Sequence, residues 1–186
     1  MVNPLECDLV SSLTDNDFQI FGAPEQFEQS LPELDTKWKA LQREAHPDKF
    51  AAQGATAQRL AMQWSVRINE AYQRLKDPLK RAAYLCELRG APINAENNTA
   101  MPAEFLMQQM EWREKLDDIA ADDATRTAQI EALLTEVSSM RQNLLTQCGR
   151  ALDEGNSPQA NVQQASQLVR SLMFIEKFES ELEDRL

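Results

Sequence analysis

Between Ser30 and Lys76 apolar side chains recur twice at the spacing of an α-helix, and a proline cuts the repeat in the middle. Leu34, Trp38, Leu41 and Ala45 follow at i, i+4, i+7 and i+11, which places them on one helical face. Pro47 disfavours the α conformation at His46, so this first helix stops there. Its start is marked by Ser30-Leu31-Pro32-Glu33, where Ser30 and Glu33 have the spacing of a capping box and proline in the first turn loses no hydrogen bond. Phe50 to Gly54 reads as loop. From Ala55 to about Lys76 a second helix carries Leu60, Trp64, Ile68, Ala71, Tyr72 and Leu75 as its stripe, and Asp77-Pro78 breaks it. Two long helices with a short connection pack antiparallel, so His46-Pro47-Asp48 falls at the exposed tip of a helical hairpin.

The flanking segments follow the same period. Phe18 and Phe21 lie in a short apolar stretch ended by Gly22-Ala23-Pro24, and residues 1–14 show no period and read as a flexible arm. Leu79 to Arg89 is a shorter helix with Ala82, Leu85 and Cys86 on one side, and Gly90 is its C-cap. Residues 91–100, with Pro92, Asn94, Asn97 and Asn98, read as a linker. Beyond it, helices are expected over about 102–121, 124–152 and 158–185, parted by Asp122-Asp123 and by Gly155-Asn156-Ser157-Pro158. Their short connections imply an antiparallel three-helix bundle. No segment has a strand period. The chain is therefore expected to be all-α, with an arm at 1–14, a first domain at 15–90, a linker at 91–100 and a bundle at 101–186.

Charge narrows the function classes. The net charge is −11. Residues 1–99 hold 11 Lys/Arg against 14 Asp/Glu, a net of −3, and residues 100–186 hold 8 against 16, a net of −8. Phosphate binding needs a basic surface, so nucleic acid is an unsuitable partner. Cys7, Cys86 and Cys148 are odd in number and widely spaced, which fits neither a disulfide framework nor a zinc site, and unpaired cysteines suit a reducing compartment. Cys86 is expected in the core. No run approaches the ~18 apolar residues of a membrane span, and the N-terminus lacks the positive charges of a targeting peptide. A cytoplasmic protein is expected. His46 is the only histidine, which excludes a His-rich metal site. A turn tip beside proline also suits poorly the concave pocket that a catalytic imidazole needs. With no Gly-rich phosphate loop, the expectation is a protein with no catalysis, cofactor or metal of its own.

At the tip, Asp48 offers a carboxylate to a partner's arginine, His46 can donate or accept, and Pro47 stiffens the turn so that less order is lost on binding. Lys39 and Arg43, four apart, share a face turned away from the apolar stripe. With Lys49 they make a positive patch that would steer an acidic partner. The bland alternative is a proline that only ends a helix and an aspartate that only caps a turn. The setting favours the first reading. A basic helix, His46-Pro47-Asp48, and a long helix ending in Ala71-Tyr72-Gln73-Arg74-Leu75-Lys76-Asp77-Pro78, followed by Lys80-Arg81-Ala82-Ala83-Tyr84, together resemble the J-domain co-chaperones. That resemblance implies docking on a DnaK-type ATPase through Lys39, Arg43, His46, Pro47, Asp48 and Lys49.

In the second half, Phe105 to Glu114 carries apolar residues on more than one face. Leu106 and Met110 are four apart with Met107 beside them, Glu111 and Glu114 adjoin, and Phe105, Trp112 and Leu116 take another side. Either all of these are bundle core, or Leu106, Met107 and Met110 form an exposed, adaptable patch. Residues 17–182 resemble HscB, the J-domain co-chaperone family of iron–sulfur cluster assembly. The likeness is carried by Phe18-Gln19-Ile20-Phe21-Gly22, Ile68-Asn69-Glu70-Ala71, Ala83-Tyr84-Leu85, Phe105-Leu106-Met107 with Glu111, Arg113 and Glu114, and Leu172-Met173-Phe174-Ile175-Glu176-Lys177. It implies a bundle that binds an IscU-type scaffold protein through Leu106, Met107, Met110, Glu111, Glu114 and Phe174, and an HscA-type ATPase as the tip's partner. Cys7 stands alone where some relatives carry a cysteine-pair metal site, which fits the bacterial form.

Overall fold

The computed structural model describes residues 15–93, 101–120, 124–154 and 158–186. All regular structure among them is helical: α1 (Asp17–Ile20), α2 (Leu31–Glu44), a 3-10 helix (Pro47–Gln53), α3 (Ala55–Lys76), α4 (Pro78–Leu88), α5 (Ala103–Asp117), α6 (Arg126–Asp153) and α7 (Pro158–Glu183). The chain divides into two compact units, one ending at Arg81 and the other beginning at Ala82, so the division falls within α4. The expected arm with Cys7, residues 94–100 of the expected linker, and the Asp122-Asp123 and Gly155-Asn156-Ser157 breaks lie outside the described residues.

In the first unit, α1 is opened by a capping box that the sequence reading did not single out. The Gln19 amide donates to the Asn16 side chain (2.8 Å), and the Asn16 amide donates to the Gln19 side chain (2.9 Å). The box expected at Ser30 is absent, for Ser30 makes no side-chain cap bond. Pro32, at the second helical position, leaves the Glu33 amide as the donor such a box would use, and Ser30 does not reach it. Helices α2 and α3 form the hairpin. Phe18, Phe21, Leu34, Ile68, Ala71, Tyr72 and Leu75 are buried in its core, and the Trp38 ring stacks on Tyr72 at 4.8 Å. The Ser65 hydroxyl donates to the Gln42 side chain (2.7 Å), whose amide donates back to the Ser65 carbonyl (3.0 Å), setting the register between the helices. The Tyr72 hydroxyl donates to Asp35 (2.5 Å) and accepts from Lys76 (3.0 Å); that bond raises the Lys76 pKa.

Asp17 is the fully buried carboxylate of this unit. It lies 2.6 Å from Arg67 and 2.9 Å from Arg74, both on α3. Arg67 also donates to the Asp15 carbonyl (3.1 Å), so α1 is tied to α3 at two points.

In the second unit, α6 and α7 pack antiparallel along their length, with Ser138 and Arg141 meeting Glu179 near one end and Cys148 against Ala165 near the other. Helix α5 lies beside them through Phe105, Trp112 and Leu116, which join Ile130, Leu133, Val137, Ile175, Phe178 and Leu182 in one core. Phe105 meets Phe174, and Trp112 stacks on Phe178, so α5 and α7 run in the same direction. Arg89 donates to the Leu152 carbonyl (2.6 Å), which supplies one of the unpaired carbonyls at the end of α6 with a partner. Cys86 and Cys148 are both buried. Burial pushes their thiols up to about 11 and about 12, so both stay protonated and weakly nucleophilic at neutral pH.

Breaking a buried ion pair costs ~3–5 kcal/mol, and less when the surviving cations can reach water. Arg67 and Arg74 are partly exposed. Asp17→Ala is therefore expected to destabilise the first unit by about 2 kcal/mol, read as a lower urea midpoint by far-UV circular dichroism. Arg74→Ala should cost less, because Asp17 keeps Arg67. An unchanged midpoint in Asp17→Ala would show that the pair contributes nothing net.

Candidate partner-binding surfaces

The tip is built by a proline and a short helix of unusual type. Helix α2 ends at Glu44, and His46 is extended (φ −64°, ψ 124°), as the residue before a proline should be. Pro47 starts the 3-10 helix, which reaches Gln53 where the sequence suggested loop. The Lys49 amide donates to the His46 carbonyl (3.0 Å). The Asp48 amide faces His46 Nδ1 at 3.3 Å, so the imidazole caps the turn from its own side chain. His46 Nδ1 lies 3.6 Å from the Asp48 carboxylate, which is 87% exposed and faces solvent. No residue of this 3-10 helix is buried. Gly54, at φ 96°, supplies the left-handed turn that leads into α3.

Lys39, Arg43 and Lys49 are all exposed, and none has an ion-pair partner among the described residues. The six residues singled out at the hairpin therefore stand at one end of it, with Arg43 and Lys39 about one and two turns back from the tip. An unpaired cationic group keeps its full field for a partner.

The other surface lies on α5. Phe105, Trp112 and Leu116, at i, i+7 and i+11, are buried. Leu106, Met107 and Met110 are 44%, 64% and 63% exposed, which decides between the two sequence readings in favour of an open patch. Glu111 and Glu114 are exposed beside them, and Gln108 donates to Glu111 at 3.3 Å. Phe174 is placed differently. It is half-buried on α7, with its ring edge-on to Phe105 (6.0 Å) and stacked on Phe178 (6.1 Å). It supports the patch from the seam instead of standing in the open.

Two ion pairs hold the edges of α5. Arg113 lies 4.9 Å over the Phe178 ring and 2.6 Å from Glu181 of α7. Lys115 and the Trp112 indole both donate to Glu136 of α6, at 2.6 and 2.9 Å. The bond from Lys115, with a smaller one from Trp112, holds the Glu136 carboxyl below its ordinary pKa although partial burial opposes this.

Other exposed apolar residues, which the sequence reading assigned to no surface, include Met62 and Val66 on α3, and Met173 on α7. Each sits one residue from a buried or packed position, so helical period alone marks them only as edges of a stripe. Among the described residues no group of three or more acidic, His or Cys side chains could hold a metal ion, and no helix is long and apolar enough to cross a membrane.

Comparison with known proteins meets this geometry at both ends of the chain. Residues 101–183 match the family model described as the HSCB C-terminal oligomerisation domain. A co-chaperone protein HscB homolog of Burkholderia thailandensis is 48% identical over 171 residues, covering 92% of this chain and 94% of that protein. The homolog of Paraburkholderia xenovorans is 49% identical over 173 residues, covering 93% and 95%. Among solved structures, chaperone HscB from Vibrio cholerae superposes with a TM-score of 0.75 at 36% identity, covering 91% of this chain and 96% of that one. Human co-chaperone protein HscB gives 0.80 at 22% identity over 91% and 81%, a likeness of fold alone. A J-domain hairpin with its His-Pro-Asp tip, a C-terminal helical domain and near-complete coverage at this identity lead to one conclusion: the chain belongs to the HscB family of co-chaperones.

Proposed function

We propose that this co-chaperone is a two-ended adaptor between an IscU-type iron–sulfur scaffold protein and an HscA-type ATPase of the DnaK family. The J-domain, over residues 15–90, docks on the ATPase through Lys39, Arg43, His46, Pro47, Asp48 and Lys49. The bundle, over 101–186, holds the scaffold through Leu106, Met107, Met110, Glu111 and Glu114, with Phe174 supporting them. It works in the cytoplasm, performs no bond chemistry and carries no cofactor.

The observation that supports this reading best is the pairing of two exposed surfaces of opposite chemistry on one chain. The tip sets the Asp48 carboxylate among Lys39, Arg43 and Lys49, and the α5 patch is apolar with an acidic border. Joining two weak contacts on one protein raises the effective concentration of each partner for the other. Stimulation of ATP hydrolysis requires that the tip bind one ATPase conformation better than the other, since equal binding shifts no equilibrium. The exposed Asp48 carboxylate suits that task, because a charged acceptor at a stiff turn can meet an arginine only where the partner presents one.

A hydrogen bond to a charged group is worth about 1.5–3 kcal/mol, so Asp48→Asn should raise the concentration for half-maximal ATPase stimulation by about tenfold or more. Steady-state hydrolysis measures this, and stimulation equal to the parent's would remove the tip from the contact.

Leu106→Ala, Met107→Ala and Met110→Ala together should cost about 2–3 kcal/mol of scaffold binding, roughly 30- to 150-fold. Calorimetry against the scaffold reads the loss, and the circular dichroism spectrum should remain that of the parent. Loss of helicity instead would mean that the three side chains hold the bundle together.

A further inference from the structure

We infer that the scaffold-binding surface does not end on α5 but crosses the seam onto the outer face of α7, where Met173 and the groove below it take an apolar segment with cationic flanks. This rests on the scaffold reading above and assigns that partner a second line of contact.

The seam is closed by Phe105 on Phe174 and by Arg113 with Glu181. Because α5 and α7 run in the same direction, residues 105–113 stand level with residues 174–181. Leu106 follows Phe105 by one residue and Met110 precedes Arg113 by three, which puts both on the bank of the seam nearest α7. Met173 precedes Phe174 by one residue, and Lys177 precedes Glu181 by four, so both lie on the opposite bank, toward solvent. Met173 is 41% exposed. Of the nine exposed large hydrophobic side chains among the described residues, Leu106, Met110 and Met173 flank this one seam, and Met107 adjoins them on the outward face of α5. An apolar area gathered across two helices marks an interaction surface more strongly than scattered single residues do.

Below Met173 an open groove of about 510 Å3 runs along α7, lined by Met173, Glu176, Lys177, Ser180, Glu181 and Asp184. Glu181 is occupied by Arg113 and Arg185. Glu176 and Asp184 are exposed and have no ion-pair partner among the described residues, and the same holds for Glu111 and Glu114 across the seam. The apolar strip is thus bordered on both banks by unpaired carboxylates, with Lys177, exposed and likewise without an ion-pair partner among the described residues, as the one cation that offsets them on the α7 bank. Charge complementarity then requires Lys or Arg on either side of an apolar centre in the occupant.

Two variants test the α7 side, Met173→Ser and Glu176→Lys with Asp184→Lys, beside the α5 triple alanine variant as reference. All substituted side chains on α7 are exposed, so each variant should keep the parent's helicity and melting temperature. Calorimetry with the IscU-type scaffold should give roughly tenfold weaker binding for Met173→Ser. The double lysine variant should bind more weakly at low salt and approach the parent as salt rises. If the α5 variant loses binding while both α7 variants match the parent, the groove is no part of the contact and the scaffold reading stands. If all three match the parent, both readings fall. If the parent self-associates in sedimentation and Met173→Ser does not, the face belongs to a second copy of this chain, and the assignment to the scaffold is overturned.

Discussion

Everything distinctive about the second unit follows from how α5 spends its one buried face. A helix against a bundle can bury a stripe about 100° wide. Phe105, Trp112 and Leu116 fill that stripe, and the Trp112 ring is stacked at 5.9 Å on Phe178 of α7. An aromatic pair of this kind adds to the burial of two large side chains, so no rotation of α5 that sacrificed it could be offset by hiding the smaller Leu106 and Met107. The remaining apolar residues are consequently left outside. Arg113 and Lys115, on opposite flanks, pair with Glu181 of α7 and Glu136 of α6 and set the rotation from both sides. The outward patch and the inward core are two results of one angular setting.

The first unit solves a different problem, which is to hold a charged turn in the open. Nothing in the 3-10 helix is buried, and runs of this helix longer than three or four residues are uncommon because its hydrogen bonds are poorly aligned. Its order comes from below. The Gln42–Ser65 bonds lock the register of the hairpin, the Trp38–Tyr72 stack fills its centre, and Asp17 binds α1 across α3 through two arginines. Pro47 and the His46 side-chain cap then restrict the few torsions left free at the tip. A side chain such as Asp48 can stay mostly exposed and still be presented in a narrow range of positions, which lowers the ordering cost of binding.

These two solutions were not equally legible in the amino-acid order. Pro47 announces the end of α2 and therefore the tip, because its ring acts on the residue before it whatever the tertiary setting. The span of α3, Ala55 to Lys76, agrees with its apolar period and with Asp77-Pro78. The capping box was misplaced because both patterns carry the groups it needs: Asn16, at ψ 163°, closes on the Gln19 amide, whereas Ser30, at ψ 101°, makes no cap bond, and these torsions are not written in the residue types. The 3-10 helix was hidden because a segment without buried residues has no hydrophobic period to read. On α5 the difficulty was the reverse: apolar residues on more than one side make the pattern ambiguous, and only the position of Phe178 and Phe174 on another helix shows which stripe is the core. Met173 shares this cause, for its exposure depends on where α5 lies against α7 and on nothing within its own helix.

The opposite signs of the two surfaces bear on specificity as well as attraction. A partner surface complementary to Lys39, Arg43 and Lys49 must be acidic, and it would be repelled by Glu111, Glu114, Glu176 and Asp184 on the bundle. A partner complementary to the bundle must be cationic, and the hairpin's basic face repels it. If the two surfaces bind as proposed, each end disfavours the ligand of the other, which is discrimination by unfavourable contacts in addition to favourable ones. The net charge of −11 sharpens this, because the basic face is a local exception in an acidic molecule and its field falls off within a Debye length of about 8 Å at physiological salt. On the proposed reading, the field of Lys39, Arg43 and Lys49 orients an acidic partner once it is close, and Asp48 on its stiff turn then tests the geometry of the contact.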